Sequence, residues 1–179
     1  MLTIGRAESA FLVVDFQSRL MPAIDEGEAV VANARRLLDA AALLGVPVLF
    51  TEQNARGLGG TIEALAGGEV DGGEVLHKMT FDACREGGLA RMPDRQQIVV
   101  AGCEAHVCVL QTVLGLLEAG RRVFVVQDAV GSRRAESKAV AVARMAGHGA
   151  EVVTAEMVVF EWLGTAEDAR FREAVRLVK

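Results

Sequence analysis

The chain of 179 residues is poor in several residue types on which whole classes of protein depend. It has three cysteines, an odd number without the spacing of a disulfide framework, as is typical of proteins in a reducing compartment. Aromatic residues make up only 4% of the chain, which is too few for a platform that stacks nucleic-acid bases. We therefore expect neither a small disulfide-bonded scaffold nor a base-stacking protein.

Excess positive charge and long apolar runs are also missing. The net charge is −5 and the pI is near 5.3, which argues against nucleic acid or an anionic membrane as the main partner. No apolar run approaches the roughly 18 residues that a membrane-spanning helix needs. The first residues, MLTIGRAESAFLVVDFQ, lack the basic region, apolar region and cleavage site of a secretory signal. These features predict a cytoplasmic protein with no nucleic-acid and no membrane partner.

The chain does contain a repeated alternation of short apolar runs and helical patterns. The runs at 10–15, 46–51, 74–78, 96–102, 121–128 and 150–155 predict strands; 28–45, 106–119, 134–147 and the C-terminal segment predict helices. Apolar strands that alternate with helices predict one α/β, doubly wound domain over residues 1–179, with a parallel sheet of about six strands and helices on both faces. In such sheets ligands bind at the carboxyl ends of the strands.

Three predicted strand ends carry reactive side chains. The first strand finishes on Asp15, the third finishes on Lys78, and the fourth leads through a glycine to Cys108. A nearby ammonium and a helix N-terminus would favour a cysteine thiolate, and a carboxylate could take the thiol proton and return it to a leaving group. Singly, the three have ordinary explanations as a turn former, a surface lysine and a core thiol. Their common edge of the sheet favours a catalytic set, but core packing remains open for Cys108.

Three motifs in order, FLVVDFQ, LHKMTFDA and VVAGCEAHVCVLQT, resemble those of the isochorismatase-like cysteine hydrolases. TEQNARGLGGT and VVQDAVGSR are similar to the isochorismatase-domain-containing subgroup, and the resemblance runs from about residue 9 to the final helix. It implies the Rossmann-like isochorismatase fold, with Asp15 as general base, Lys78 as support for the thiolate and Cys108 as nucleophile. It also implies a cis peptide bond between Cys103 and Glu104, and an oxyanion hole formed by the backbone N–H groups of Glu104 and Cys108.

The resemblance implies a cofactor-free cysteine hydrolase that cleaves a C–N bond of a small amide or carbamoyl compound through a covalent thioester. The histidine-containing metal motif of the nicotinamidases is missing after the second strand, where the chain reads FTEQNARGLGG, so no catalytic metal is expected. A homo-oligomer, dimer or larger, is also implied, with EMVVFEWLG as a candidate interface segment. Two alternatives stay open: a non-catalytic small-molecule-binding or interaction protein that retains the pocket, and a redox protein that uses the Cys108 thiol.

Six further residues are candidates for the substrate pocket: Phe16, Gln17, Leu20, Gln53, Phe81 and His106. Gln17 is expected near the base, and the apolar members would form walls, although core packing explains them equally well. His106 lies near the proposed nucleophile in sequence and is a candidate for the rim. The two other histidines and the two other cysteines are expected in structural or surface positions.

Overall fold

The computed structural model describes residues 2–66 and 74–179, and these form a six-stranded, wholly parallel sheet. The strands are β1 Ser9–Val14, β2 Val48–Gln53, β3 Glu74–Lys78, β4 Gln97–Cys103, β5 Arg122–Gly131 and β6 Glu151–Val153. Their order across the sheet is β3-β2-β1-β4-β5-β6. The chain therefore changes direction across the sheet between β1 and β4, and the predicted doubly wound α/β fold is confirmed.

Helices cover both faces of this sheet. They are α1 Gly27–Leu44, α2 Ala55–Leu58, α3 Glu63–Ala66, α4 Gly88–Arg91, α5 Leu110–Glu118, α6 Ala135–Gly147, α7 Ala155–Leu163 and α8 Phe171–Val178. Alternate residues of β1 point to opposite faces: Phe11 and Val13 join the core under α1, α7 and α8, whereas Leu12 and Val14 join the core under α5 and α6. In the described ranges, no helix combines the length and the apolar character that a membrane crossing requires.

The end of α1 follows the sequence prediction. Gly45 caps this helix in the left-handed conformation, with φ of 72°. Its N–H donates to the carbonyls of Ala41 and Ala42. Glycine takes up this conformation without the steric penalty of a side chain, so it ends the helix as expected.

The segment after β6 differs from the prediction. The expected strand 150–155 contains only the three residues of β6, and α7 begins directly afterwards with Thr154 as its N-cap, whose Oγ1 accepts from the Met157 N–H at 3.3 Å. Sequence periodicity missed α7 because AEMVVFEWL has no clear polar face. Trp162 lies in the core with its ring edge-on to Phe11, while Met157 and Phe160 remain exposed.

The close approach of β4 to β1 positions the site. Gly102 is in register with Val14 and has φ of 153°. A Cβ at Gly102 would collide with the carbonyl oxygen and the Cβ of Val14, so only glycine lets the two strands meet so closely here. The chain that leaves β4 therefore passes directly beside the residue that follows β1.

The segment after β4 is a π-helical turn, Ala105–Val109, which leads into α5. The sequence predicted an ordinary helix from 106, and the π-helical turn was not expected. Single π-helical turns inside helices are found frequently at functional sites. The connection after β2 contains α3, and the part of that connection at 67–73 lies outside the described residues.

Candidate active site

Asp15 is the first residue after β1 and is fully buried. Its φ of 52° lies in the left-handed region, which aspartate tolerates better than most residues. Its carboxylate Oδ2 accepts from Lys78 Nζ at 2.7 Å, and Oδ1 accepts from the Thr51 hydroxyl at 2.6 Å. Both carboxylate oxygens are therefore held by donors from β2 and β3.

Lys78 is the last residue of β3 and is also buried. Its ammonium reaches across β2 to Asp15 and donates in addition to the Phe81 carbonyl at 3.3 Å. Removing two charges from water carries a desolvation penalty that their attraction offsets only when the geometry is good. The structure thus brings the predicted aspartate and lysine together as a buried ion pair at the carboxyl edge of the sheet.

Cys108 lies in the π-helical turn, almost buried, and its thiol is close enough to Asp15 and Lys78 for both of their charges to act on it. Burial raises the pKa of this thiol most, and the negative charge of Asp15 raises it further, while the Lys78 ammonium lowers it. The thiol is therefore protonated at neutral pH. This direction is opposite to the sequence-based expectation that the ammonium and a helix N-terminus would favour the thiolate, because burial and Asp15 outweigh them.

The turn that carries Cys108 is fixed through Glu104. The peptide bond that precedes Glu104 is cis, as expected. The Glu104 carboxylate accepts from the backbone N–H and the Nε of Arg133, both at 3.0 Å. Its carbonyl oxygen accepts from the N–H groups of Val107 and Val109, at 3.0 and 3.2 Å. The N–H of Cys108 lies between those two in sequence, and its pairing with the Glu104 N–H as an oxyanion hole stays a prediction.

The side chains of Gln17 and Gln53 connect the loops around the site by hydrogen bonds. The buried Gln17 side chain donates to the carbonyls of Gln53, at 3.1 Å, and Gly59, at 2.6 Å, and accepts from the Gln53 N–H at 2.9 Å. The Gln53 side chain donates to the Met79 carbonyl at 3.1 Å. These bonds fix the segment after β2 to the segments that follow β1 and β3. Gln17 was expected near the base; its amide holds this loop, and a role in positioning the base stays a prediction.

The remaining pocket candidates lie in different surroundings. Phe16 is buried in the core under α1, and Leu20 packs against the same cluster. Phe81 is 47% exposed, three residues after Lys78. The His106 Nδ1 is 3.0 Å from the Ser132 hydroxyl. Contact of these four residues with a substrate stays a prediction.

The other cysteines and histidines lie outside this constellation. Burial raises the pKa of Cys84 and that of Cys103 to about 12, so both remain protonated thiols at neutral pH. His77 is exposed, with its Nδ1 at 3.4 Å from a carboxylate oxygen of Glu52. Exposed His148 has its Nδ1 at 2.9 Å from the Arg144 carbonyl oxygen. Among residues 2–66 and 74–179, no group of three His, Cys, Asp or Glu side chains is arranged to hold a metal ion.

Sequence reasoning missed two residues of the site. Thr51 ends the apolar run VPVLFT, and the parallel register places it beside Val14, the residue before Asp15. A hydroxyl that ends an apolar strand next to β1 was a usable signal. Arg133 lies in the VVQDAVGSR motif, but its pairing with Glu104 depends on the offset between β4 and β5, which shifts at a bulge between Val100 and Gly102.

Comparison with known proteins gives consistent matches. Residues 9–157 match the isochorismatase domain family model. Isochorismatase domain-containing protein 1 of Salmo salar is 34% identical over 177 residues, which are 97% of this chain and 62% of that protein. The chain therefore spans less than two thirds of that relative's length.

Solved structures agree over nearly the whole chain. The MAR1 ribonuclease of Caenorhabditis elegans superposes with a TM-score of 0.94 at 34% identity, covering 98% of this chain and 92% of that one. The YcaC gene product of Escherichia coli, an octameric hydrolase of unknown specificity, shares the fold with a TM-score of 0.87 at 23% identity, covering 99% and 88%.

Proposed function

The chain belongs to the isochorismatase domain family, and on that premise we propose that it is a cysteine hydrolase that cleaves a C–N bond of a small amide or carbamoyl compound. The observation that carries the proposal is the buried ion pair of Asp15 and Lys78, 2.7 Å from Oδ2 to Nζ, beside the buried thiol of Cys108. A thiol, a neighbouring carboxylate and a fixed positive charge supply the nucleophile, the base and the electrostatic support for acyl transfer.

In the first step the Cys108 sulfur attacks the substrate carbonyl carbon while the thiol proton passes to Asp15. The raised pKa of the thiol favours proton transfer during the attack over a thiolate formed beforehand. The C–S bond forms as the carbonyl π electrons move to oxygen, and the backbone N–H groups of Glu104 and Cys108 bind that oxyanion. Lys78 holds the Asp15 carboxylate in place throughout.

In the second step the oxyanion collapses and the C–N bond breaks. Asp15 returns its proton to the leaving nitrogen, so ammonia or an amine departs and a thioester on Cys108 remains. A water molecule then attacks the thioester carbon and gives a proton to Asp15, which passes it to the departing sulfur. The product is a carboxylic or carbamic acid, and the enzyme returns to its starting state without a cofactor.

The test is ammonia release from a panel of small amides, carbamoyl compounds and nicotinamide, without added metal and after chelation. We expect release from at least one compound, unchanged by the chelator and lost in Cys108→Ala. Cys84→Ala is the matched control, because Cys84 is a free thiol outside the site, and it should retain the activity. Release that depends on an added metal would contradict the cofactor-free mechanism.

The same panel distinguishes the alternatives. Since the Caenorhabditis elegans neighbour is a ribonuclease, a short RNA is included, although the net charge of −5 disfavours RNA binding. RNA cleavage that is lost in Cys108→Ala would replace the proposed C–N hydrolysis. A panel compound that stabilises the protein against heat but is never turned over would favour the non-catalytic binding protein.

We also propose that the chain forms a homo-oligomer, a dimer or larger. The Escherichia coli neighbour is octameric, and Met79, next to Lys78, is 65% exposed despite its apolar side chain. Phe81, two residues further on, is 47% exposed, and several apolar side chains exposed in one segment are a reasonable contact for a second copy. Sedimentation velocity tests this proposal, and a monomer at micromolar concentration would contradict it.

A further inference from the structure

A polar hollow of about 360 Å³ lies between the π-helical turn and the start of α6. It is lined by His106, Arg133, Arg134 and Ser137. All four side chains can donate hydrogen bonds, and two of them carry a permanent positive charge. A second hollow of about 370 Å³ shares His106 and Ser137 and extends along α6 to Arg144.

Among the described residues, one of the two arginines that line the first hollow has a carboxylate partner and the other does not. The Glu104 carboxylate accepts from Arg133 Nε at 3.0 Å and so compensates that guanidinium. Arg134 has no carboxylate partner within residues 2–66 and 74–179, so its charge remains available. Glu136 is the acidic residue closest in sequence, and it lines the second hollow. A chain of net charge −5 thus carries a local excess of positive charge at this point.

His106 is held in a fixed orientation at the same place. Its Nδ1 is 3.0 Å from the hydroxyl oxygen of Ser132, which is buried. With Nδ1 engaged, Nε2 is the ring nitrogen that a ligand in the hollow can use. His106 belongs to the π-helical turn and lies two residues before Cys108, so the hollow adjoins the turn that carries the proposed nucleophile.

We propose that this hollow is an anion site that takes a carboxylate or a phosphate group. The planar guanidinium of Arg134 matches both groups with paired N–H donors, and the His106 ring and the Ser137 hydroxyl add further donors. The anion has two possible sources: a free anion, or the anionic end of the substrate. The second source rests on the proposed function, whereas the site itself does not.

Inorganic phosphate is the probe that tests the site. The full chain is titrated with phosphate while the ring signals of its three histidines are followed by proton NMR, with His77 and His148 as internal references. The His106 signals should shift and saturate in the wild type. Arg134→Gln should weaken binding about tenfold or more, because charge-assisted hydrogen bonds are lost, and Arg134→Lys should lie between the two.

Arg172→Gln is the matched control, because it removes the same charge from an exposed position on α8, on the other face of the sheet. This variant should bind phosphate as the wild type does. If the His106 signals do not saturate, the hollow does not bind an anion. If both glutamine variants weaken binding equally, phosphate responds only to the overall charge of the protein, and the proposed site is rejected.

The source of the anion is decided with two matched amides, succinamate and butyramide, in which a carboxylate is replaced by a methyl group. If the substrate supplies the anion, the wild type prefers succinamate in kcat/KM, and Arg134→Gln lowers that preference about tenfold. An unchanged ratio together with phosphate binding assigns the site to a free anion. If neither amide is hydrolysed, the phosphate titration still decides the site, so failure of the proposed function and failure of the site remain distinguishable.

Discussion

The two ends of the β1–β4 strand pair both bury polar side chains, but they do so with different chemistry. At the amino end, Ser9 and Gln97 are in register and buried. The Gln97 side chain accepts from the Gly5 N–H at 2.8 Å and donates to the Thr3 carbonyl at 3.2 Å. These are neutral hydrogen bonds to the backbone, and each stabilises the fold modestly.

At the carboxyl end the buried groups are charged. Asp15 and Lys78 form an ion pair whose side chains are almost inaccessible to water. Such a pair gives a fold little or no advantage over well-packed apolar residues, because desolvation offsets the attraction. The amino end therefore contributes mainly to stability, whereas the carboxyl end carries the site to which we assign the proposed reaction. The two ends should therefore respond differently to substitution.

The largest effect is expected when the ion pair is broken from one side. Lys78→Met should reduce the free energy of unfolding by about 3–5 kcal/mol, because it leaves the Asp15 carboxylate buried without a counter-charge. The double variant Asp15→Asn with Lys78→Met should recover most of that loss, since no charge remains buried. Urea denaturation of the single and double variants gives both values.

Both of these variants should be inactive in the ammonia assay, since each lacks a member of the proposed catalytic set. A double variant that is as unstable as Lys78→Met would mean that the pair itself stabilises the fold. In that case the division between the two ends would fail.

A smaller effect on stability is expected at the amino end. Gln97→Leu should reduce the free energy of unfolding by about 1–3 kcal/mol, because it leaves backbone groups of Thr3 and Gly5 without these partners. It should leave kcat/KM unchanged, since Gln97 lies at the opposite end of β4 from the site. A clear fall in kcat/KM of the folded variant would show that the amino end also serves the reaction.

The sequence predicted most of the architecture because continuous apolar strands between helices have few alternative arrangements. Asp15 and Lys78 could be assigned to one edge because carboxyl ends of parallel strands meet there. The direction of the Cys108 pKa shift could not be foreseen, since it depends on burial and on the negative charge of Asp15 nearby. The family resemblance supplied the cis peptide bond before Glu104, which no spacing of residue types indicates. The helix α7 was missed because its residues lack the polar face that marks a surface helix.

Substitution of Thr51 shows how much the hydrogen bond to Asp15 contributes to the rate of the proposed reaction. Thr51→Val keeps the shape of the side chain and removes the 2.6 Å hydrogen bond to Asp15, so kcat should fall about tenfold with little change in KM. Thr51→Ser keeps the hydroxyl and should restore most of the activity. Steady-state kinetics of the two variants provides the measurement. If valine and serine behave alike, the hydroxyl does not position the base.

The smallest effect is expected at the ion cluster of Asp168, Arg170 and Arg6, which is in contact with water. This cluster shows what paired charges contribute to stability when they are not buried as Asp15 and Lys78 are. Hydrogen bonds from the Arg170 side chain and backbone, and then from Arg6, hold the pKa of Asp168 well below its ordinary value. Because the folded-state pKa is lowered, the stabilisation is present above the unfolded pKa of about 4 and is lost as the pH falls below it.

Urea denaturation at a series of pH values should therefore show the wild type losing stability in acid more steeply than Asp168→Asn. The two proteins should converge at the lowest pH, and high salt should reduce their difference at pH 6, as it would not for the buried pair. Parallel curves throughout would mean that this cluster contributes nothing to stability, and that only buried charge matters in this chain.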